Sequence, residues 1–185
     1  MKKHFVLLAA LTALAACSAS SDRYAAVPLQ VTETQRIPFR AVEVADVSLP
    51  AYAAADEISI QTTDGRLVSD GAVLWADTPG RAVALELSRY LTQLTGARVA
   101  SSPWPFEALP DARLNLRFET LVAGEDGQFR ARGQYFVAVP DARERSGLFD
   151  LAVPFDTAAG PVAIAQAREQ VILDLAVLLV RNGLR

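Results

Sequence analysis

The chain has 185 residues, with 18 Lys+Arg, 21 Asp+Glu, one His, one Cys and one Met. This length suits one domain with a sizeable core, and a net charge of −3 lacks the basic excess of a nucleic-acid binder. Lys2, Lys3, His4 and Cys17 all lie in the first 17 residues. If that segment is processed, the remaining protein has no His, no Lys and no free thiol, which removes most acid–base, Schiff-base, thiol and zinc chemistry.

Met1 to His4 form a short basic head, and Phe5 to Ala16 an apolar stretch of 12 residues. A helix that spans a bilayer needs about 20 residues, so the stretch fits the apolar region of a secretory signal instead. It ends in Leu14-Ala15-Ala16-Cys17, which resembles the lipobox of bacterial lipoproteins. There, small residues precede a Cys whose thiol accepts diacylglycerol. A lone thiol in a secreted protein needs an explanation, and lipidation at Cys17 supplies one. Each buried methylene adds about 0.8 kcal/mol, so several acyl chains make a lasting anchor. Ser18, where Asp commonly retains a lipoprotein at the inner membrane, points to the outer membrane. The expected organisation is a signal peptide over 1–16, a lipidated tether over 17–22 and one domain over 23–185. Without residues 1–16 the charge is −5, and every cation is one of 16 Arg.

Strands come first in the domain. Arg36 to Leu49 carries Ile37, Phe39, Val42, Val44 and Val47, and Ile58–Thr62 and Arg66–Ser69 flank a hairpin turn at Asp64-Gly65. A helix follows, with Thr78 as its cap, Pro79 at its first position and Gly96 as its stop. Val83, Leu87, Tyr90, Leu91 and Leu94 share one face, while Glu86, Arg89 and Gln93 are placed toward water.

After Arg98–Ser101 and a Pro-Trp-Pro loop at 103–105 comes a long hairpin. Leu114, Leu116, Phe118 and Val122 alternate with polar residues, and beyond Gly124–Gly127 so do Phe129, Tyr135, Val137 and Val139. A turn centred on Glu125-Asp126 or on Asp126-Gly127 keeps the same faces together. Phe149, Leu151, Val153 and Phe155 form a further alternating strand. The last element, Pro161 to about Asn182, is a helix apolar over most of its circumference, with Gln166, Gln170, Asp174 and Arg181 as a narrow polar stripe. It is either a central core helix or a helix that also meets a second subunit. The expected fold is α+β: a single domain with a mainly antiparallel sheet and two long helices packed against it.

Little chemistry can be assembled from these residues. No Walker-type phosphate loop, EF-hand or metal-ligand set is present in the sequence, and no cofactor is expected. The adjacent carboxylates Asp56-Glu57 and Glu125-Asp126 are the only hint of a hydrolase, and the second pair sits in a turn where Asp is expected for backbone reasons. Arg113, Arg117, Arg130 and Arg132 on the outer hairpin face are most simply a solvated face in a chain without other cations. Trp75 and Trp104 are core or loop anchors by default, and an exposed Trp104 would mark a contact surface.

Residues 47–91 carry a family resemblance. They read Val47-Ser48-Leu49-Pro50-Ala51-Tyr52, then Glu57-Ile58-Ser59-Ile60, then Leu74-Trp75-Ala76-Asp77, and a helix containing Leu87-Ser88-Arg89-Tyr90-Leu91. This resembles the ABC-type transport auxiliary lipoprotein family, whose members typically read V-x-L-P-x-Y-L, I-V-x-R and R-W-A-x-P-L. Departures are Ala53 after Tyr52, Gln61 near the strand arginine, Leu74 before Trp75, and a proline shifted by one at Thr78-Pro79. The resemblance implies docking rather than catalysis. The expected role is that of an outer-membrane-anchored, periplasm-facing auxiliary of an intermembrane lipid transport system containing an MCE-domain (mammalian cell entry) protein, as a possible homo-oligomer. Pro50, Tyr52, Trp75, Trp104, Leu178 and Leu179 are the candidate partner or subunit contacts. The alternative is a lipoprotein that carries a lipid in an apolar pocket between sheet and helices.

Overall fold

The computed structural model describes residues 21–140 and 144–185, so the leader and Cys17 lie outside the described residues. Its elements run β1 (Asp22–Tyr24), β2 (Ala41–Ser48), α1 (Ala51–Ala54), β3 (Glu57–Gln61), β4 (Leu67–Trp75), α2 (Pro79–Thr95), β5 (Arg98–Ser101), β6 (Ala112–Gly124), β7 (Gln128–Ala138), β8 (Arg145–Pro154) and α3 (Pro161–Leu178). A 3₁₀ turn, Thr157–Ala159, precedes α3, and a π-helical turn, Leu179–Gly183, follows it.

The strands form one eight-stranded sheet, and it is mixed rather than mainly antiparallel. Only β3–β4, β6–β7 and β7–β8 pair antiparallel; β1–β4, β2–β5, β2–β6 and β3–β6 are parallel. The cause lies in β6, which has 13 residues. Along one edge it takes β2 against Ala112–Arg117 and then β3 against Ala123-Gly124, both running in its own direction. Between β2 and β3 stands only the single-turn α1, which makes a jog and not a reversal. Parallel neighbours require crossovers: α2 supplies one on the way to β5, and loop 102–111 supplies another from β5 to β6. Alternation along a strand tells which side is buried, but not which strand lies beside it.

The antiparallel meander β6–β7–β8 turns at Gly124–Gly127, with Gly127 at φ 75°. Leu114 faces Val137 and Leu116 faces Tyr135, but an irregularity between Phe118 and Thr120 shifts the remainder by one residue. This bulge at Glu119 places Leu121 opposite Ala131 and Ala123 opposite Phe129, leaving Val122 opposite Arg130. Val122 therefore leaves the row of Leu114 and Phe118 that uninterrupted alternation predicts. At Gly133 a Cβ would stand 2.2 Å from the Arg117 carbonyl oxygen, so only glycine lets β6 and β7 approach there.

Helices α2 and α3 pack side by side, α2 against β2 and β5 and α3 against β7 and β8. Val83, Leu87, Tyr90, Leu91 and Leu94 of α2 are all buried. Fully burying such a side chain contributes about 1.5–3 kcal/mol, which fixes this face inward. Gly96, at φ 69°, ends α2, and its N–H donates to the Thr92 carbonyl. In α3, Ile164, Val171, Ile172 and Leu175 are buried, and Gln166, Gln170 and Asp174 are half-buried along its outer side. No described helix is long and apolar enough to cross a membrane.

Candidate functional site

The arrangement has two distinct ends. Strand β1 lies parallel to β4, with Asp22 opposite Val73 and Tyr24 opposite Trp75. The chain therefore enters β1 from the end that holds the β3–β4 turn at Thr62–Gly65 and the β6–β7 turn. Loop 102–111 joins β5 to the start of β6 and so lies at the other end of β6. Thirteen residues at about 3.3 Å each make β6 roughly 40 Å long.

Trp104 lies in that far loop, half-buried. Its Nε1 donates to the Ala108 carbonyl at 2.7 Å, and its ring meets Phe106 edge-on with centroids 5.0 Å apart. The Arg98 guanidinium sits 4.8 Å from the Phe106 ring centre. Phe106 and Leu109 are exposed, Leu109 at 77%. Asp111 holds the loop's return by accepting from the N–H groups of Arg40 and Ala41 at 2.6 and 3.0 Å. Trp104 thus belongs to an apolar, ordered and partly open surface, whose other members, Phe106 and Leu109, sequence reading passed over. Their closeness to Pro-Trp-Pro was the available signal.

Pro50, Tyr52 and Trp75 fall elsewhere, where α1, β4 and β6 meet. The Pro50 carbonyl accepts from the N–H groups of Ala53 and Ala54 at 2.9 Å and so starts α1. The half-buried Tyr52 hydroxyl accepts from the Leu121 N–H at 3.3 Å. Trp75 is buried, with the Arg168 guanidinium 4.7 Å from its ring centre, and its carbonyl accepts from Arg23 at 2.9 Å. Tyr52, Trp75 and Arg168 border a gap of only about 10 Å³, too small for a ligand. Leu179 is fully buried and Leu178 partly so.

Sequence reading missed a pair of ion pairs that couple the helices. Glu86 and Arg89, assigned to the water-facing side of α2, turn toward α3: Arg168 bonds Glu86, and Arg89 bonds Glu169. The Tyr90 hydroxyl donates to Glu169 and accepts from the Leu29 N–H at 3.0 Å, tying the segment after β1 to both helices. The available signal was Arg168-Glu169 inside an otherwise apolar stretch of helix, since buried charges need partners. Burial, with the neighbouring Glu169 charge, holds the Glu86 carboxyl above the usual carboxylate range against the pull of Arg168. Burial and the bond to Glu169 likewise raise the Tyr90 phenol. Tyr90→Phe removes one donor and one acceptor and leaves a buried oxygen of Glu169 and the Leu29 N–H less satisfied. Thermal or urea melting is expected to show a loss of about 1–3 kcal/mol.

The outer-face arginines are mostly held by neighbours. Arg113 pairs with Glu43 at 2.9 Å, Arg132 with Asp150 at 3.1 Å and Arg130 with Asp126, while Arg117 lies 5.1 Å from the Phe136 ring centre. Among the described residues no three His, Cys, Asp or Glu side chains converge as a metal site.

Comparison of the fold finds the same frame in two crystal structures. One is of an uncharacterized protein, with TM-score 0.70, 18% identity, and coverage of 88% of this chain and 98% of that one. The other is protein XCC0632 from Xanthomonas campestris, with TM-score 0.64, 21% identity, and coverage of 86% and 95%. No curated protein matches the chain by sequence. The sequence profile of the ABC-type transport auxiliary lipoprotein component family matches residues 25–179, nearly the whole described fold, and the chain belongs to that family.

Proposed function

We propose that this protein is an outer-membrane-anchored, periplasm-facing docking component of an ABC-type intermembrane transport system, moving lipid or another hydrophobic compound, and that its partner is the MCE-domain protein of that system. Residues 1–16 are the signal peptide, Cys17 carries the acyl chains, 17–22 form the tether and 23–185 the docking domain. The family supports a transport role, and Leu14-Ala15-Ala16-Cys17-Ser18 supports the anchor and the outer membrane.

The observation that carries the docking reading is the separation of the two ends. The chain enters from one end of the sheet, while Trp104, Phe106 and Leu109 form an apolar surface at the other, the end turned away from an anchored membrane. Exposed aromatic groups of this kind are enriched at protein interfaces. Assembly rather than catalysis is also supported by the buried carboxylates, since Glu43, Glu86 and Glu169 each bond an arginine.

Pull-down of the lipidated full chain from envelope membranes tests this. The MCE-domain protein is expected to co-purify, and Leu109→Asp, at a 77%-exposed position, to weaken recovery at least tenfold while the melting curve stays unchanged. Undiminished recovery from that variant would move the docking surface elsewhere.

A further inference from the structure

A second apolar feature lies at the tether end. The β3–β4 hairpin stands away from the start of α3, leaving a cleft of about 470 Å³. Buried Ile58 and Ile164 form its floor, Ile60, Val73 and Phe155 its half-buried walls, and Val68, 50% exposed, its lip. Its mouth carries two exposed carboxylates, Asp70 and Glu125. Neither is in an ion pair among the described residues.

We propose that this cleft takes one acyl chain of a zwitterionic membrane phospholipid, with the lipid's ammonium group at Asp70 and Glu125. Three observations point the same way. The first is size and lining: at about 470 Å³ and bordered chiefly by apolar side chains, the cleft is within the range of small-molecule sites and has room for a stretch of acyl chain. The second is position. Asp22 lies opposite Val73, a wall residue, and stands only five residues after Cys17. Five residues span at most about 17 Å, so a lipidated Cys17 keeps the β1–β4 edge of the cleft within that distance of the bilayer. The third is charge. An acidic mouth repels the phosphates of anionic lipids and attracts an ammonium group, which the uncharged acyl-glyceryl group on Cys17 lacks. The assignment rests on the lipid-transport reading and gives that reading a place where cargo is held.

The test uses the full lipidated protein in vesicles of phosphatidylethanolamine bearing a photoactivatable acyl chain. Labelling is expected to map to peptides containing residues 58–73 and 155–164, and to fall about tenfold in Val68→Glu, an exposed position where the change leaves the fold intact. Leu148→Glu, on the exposed β8 edge, is the matched control and should label as the wild type does. The same photolabel on phosphatidylglycerol should react several-fold less. Absent labelling, labelling spread over the surface, labelling insensitive to Val68→Glu, or equal labelling by the anionic lipid overturns the assignment. So does a cleft filled by the chains of Cys17 itself, which leaves no room for the probe. Partner recovery through the Trp104 end stays intact in all these outcomes if only the cleft assignment is wrong, whereas failure of the docking reading abolishes that recovery whatever the labelling shows.

Discussion

Cys17→Ala is expected to abolish lipid anchoring and transport together. No described helix is long and apolar enough to cross a bilayer. The described domain keeps its apolar helix faces against the sheet. Each methylene of an attached chain contributes about 0.8 kcal/mol of membrane affinity, so one acyl chain binds weakly and reversibly while several bind almost permanently. Removing the only thiol removes all of them at once. The variant should remain as an uncleaved precursor or become soluble, incorporate no radiolabelled palmitate, and fail to restore transport in cells lacking the wild-type protein. Normal membrane retention with full transport in that variant would contradict the anchor.

The largest expected effect within the folded domain comes from Arg168→Met. Arg168 is buried beside Glu86 and caps the face of Trp75, so its loss strands a buried carboxylate and uncovers an aromatic ring. Breaking one side of a buried ion pair costs about 3–5 kcal/mol, a large share of a typical domain's stability. Replacing both partners, Arg168→Met with Glu86→Leu, should recover most of that loss, because the double change leaves no unpaired charge.

The pH dependence has a definite sign. A carboxyl whose value in the fold lies above its unfolded value, 4.5, binds more protons folded than unfolded, so its contribution to stability falls as pH rises through that window. Without Arg168 the folded value rises further. Urea melts should therefore show Arg168→Met losing less stability near pH 5 than near pH 8. A loss independent of pH and not recovered in the double variant would mean that packing on Trp75, and not the charge pair, sets the cost.

Much of the frame was legible from local pattern. Thr78-Pro79 and Gly96 bound α2, the buried face of α2 follows the helical period, and Asp64-Gly65 turns between β3 and β4 with Gly65 at φ 87°. Pairing partners were not legible. That β2 and β3 share one edge of β6 depends on the length of β6 and on the brief α1 jog, which are tertiary facts that alternation does not encode. The bulge at Glu119 hides for the same reason, since one unpaired residue changes the phase without changing composition. Helix-to-helix charge matching between Glu86, Arg89 and Arg168-Glu169 needed two elements to be seen together. The motif residues separated as well: Trp75 and Tyr52 fix the junction of α1, β4 and β6, while Trp104 stands at the far end with neighbours that carry no motif.

The most direct test of the central claim is photocrosslinking in intact cells from an amino acid analogue placed at position 104 of the lipidated chain. A specific product with the MCE-domain protein is expected, absent when the analogue is placed at position 148 on the outer edge strand, and lost with Cys17→Ala. Products with phospholipid alone, or identical products from both positions, would contradict an orientation in which the Trp104 end faces the periplasm and receives the transport partner.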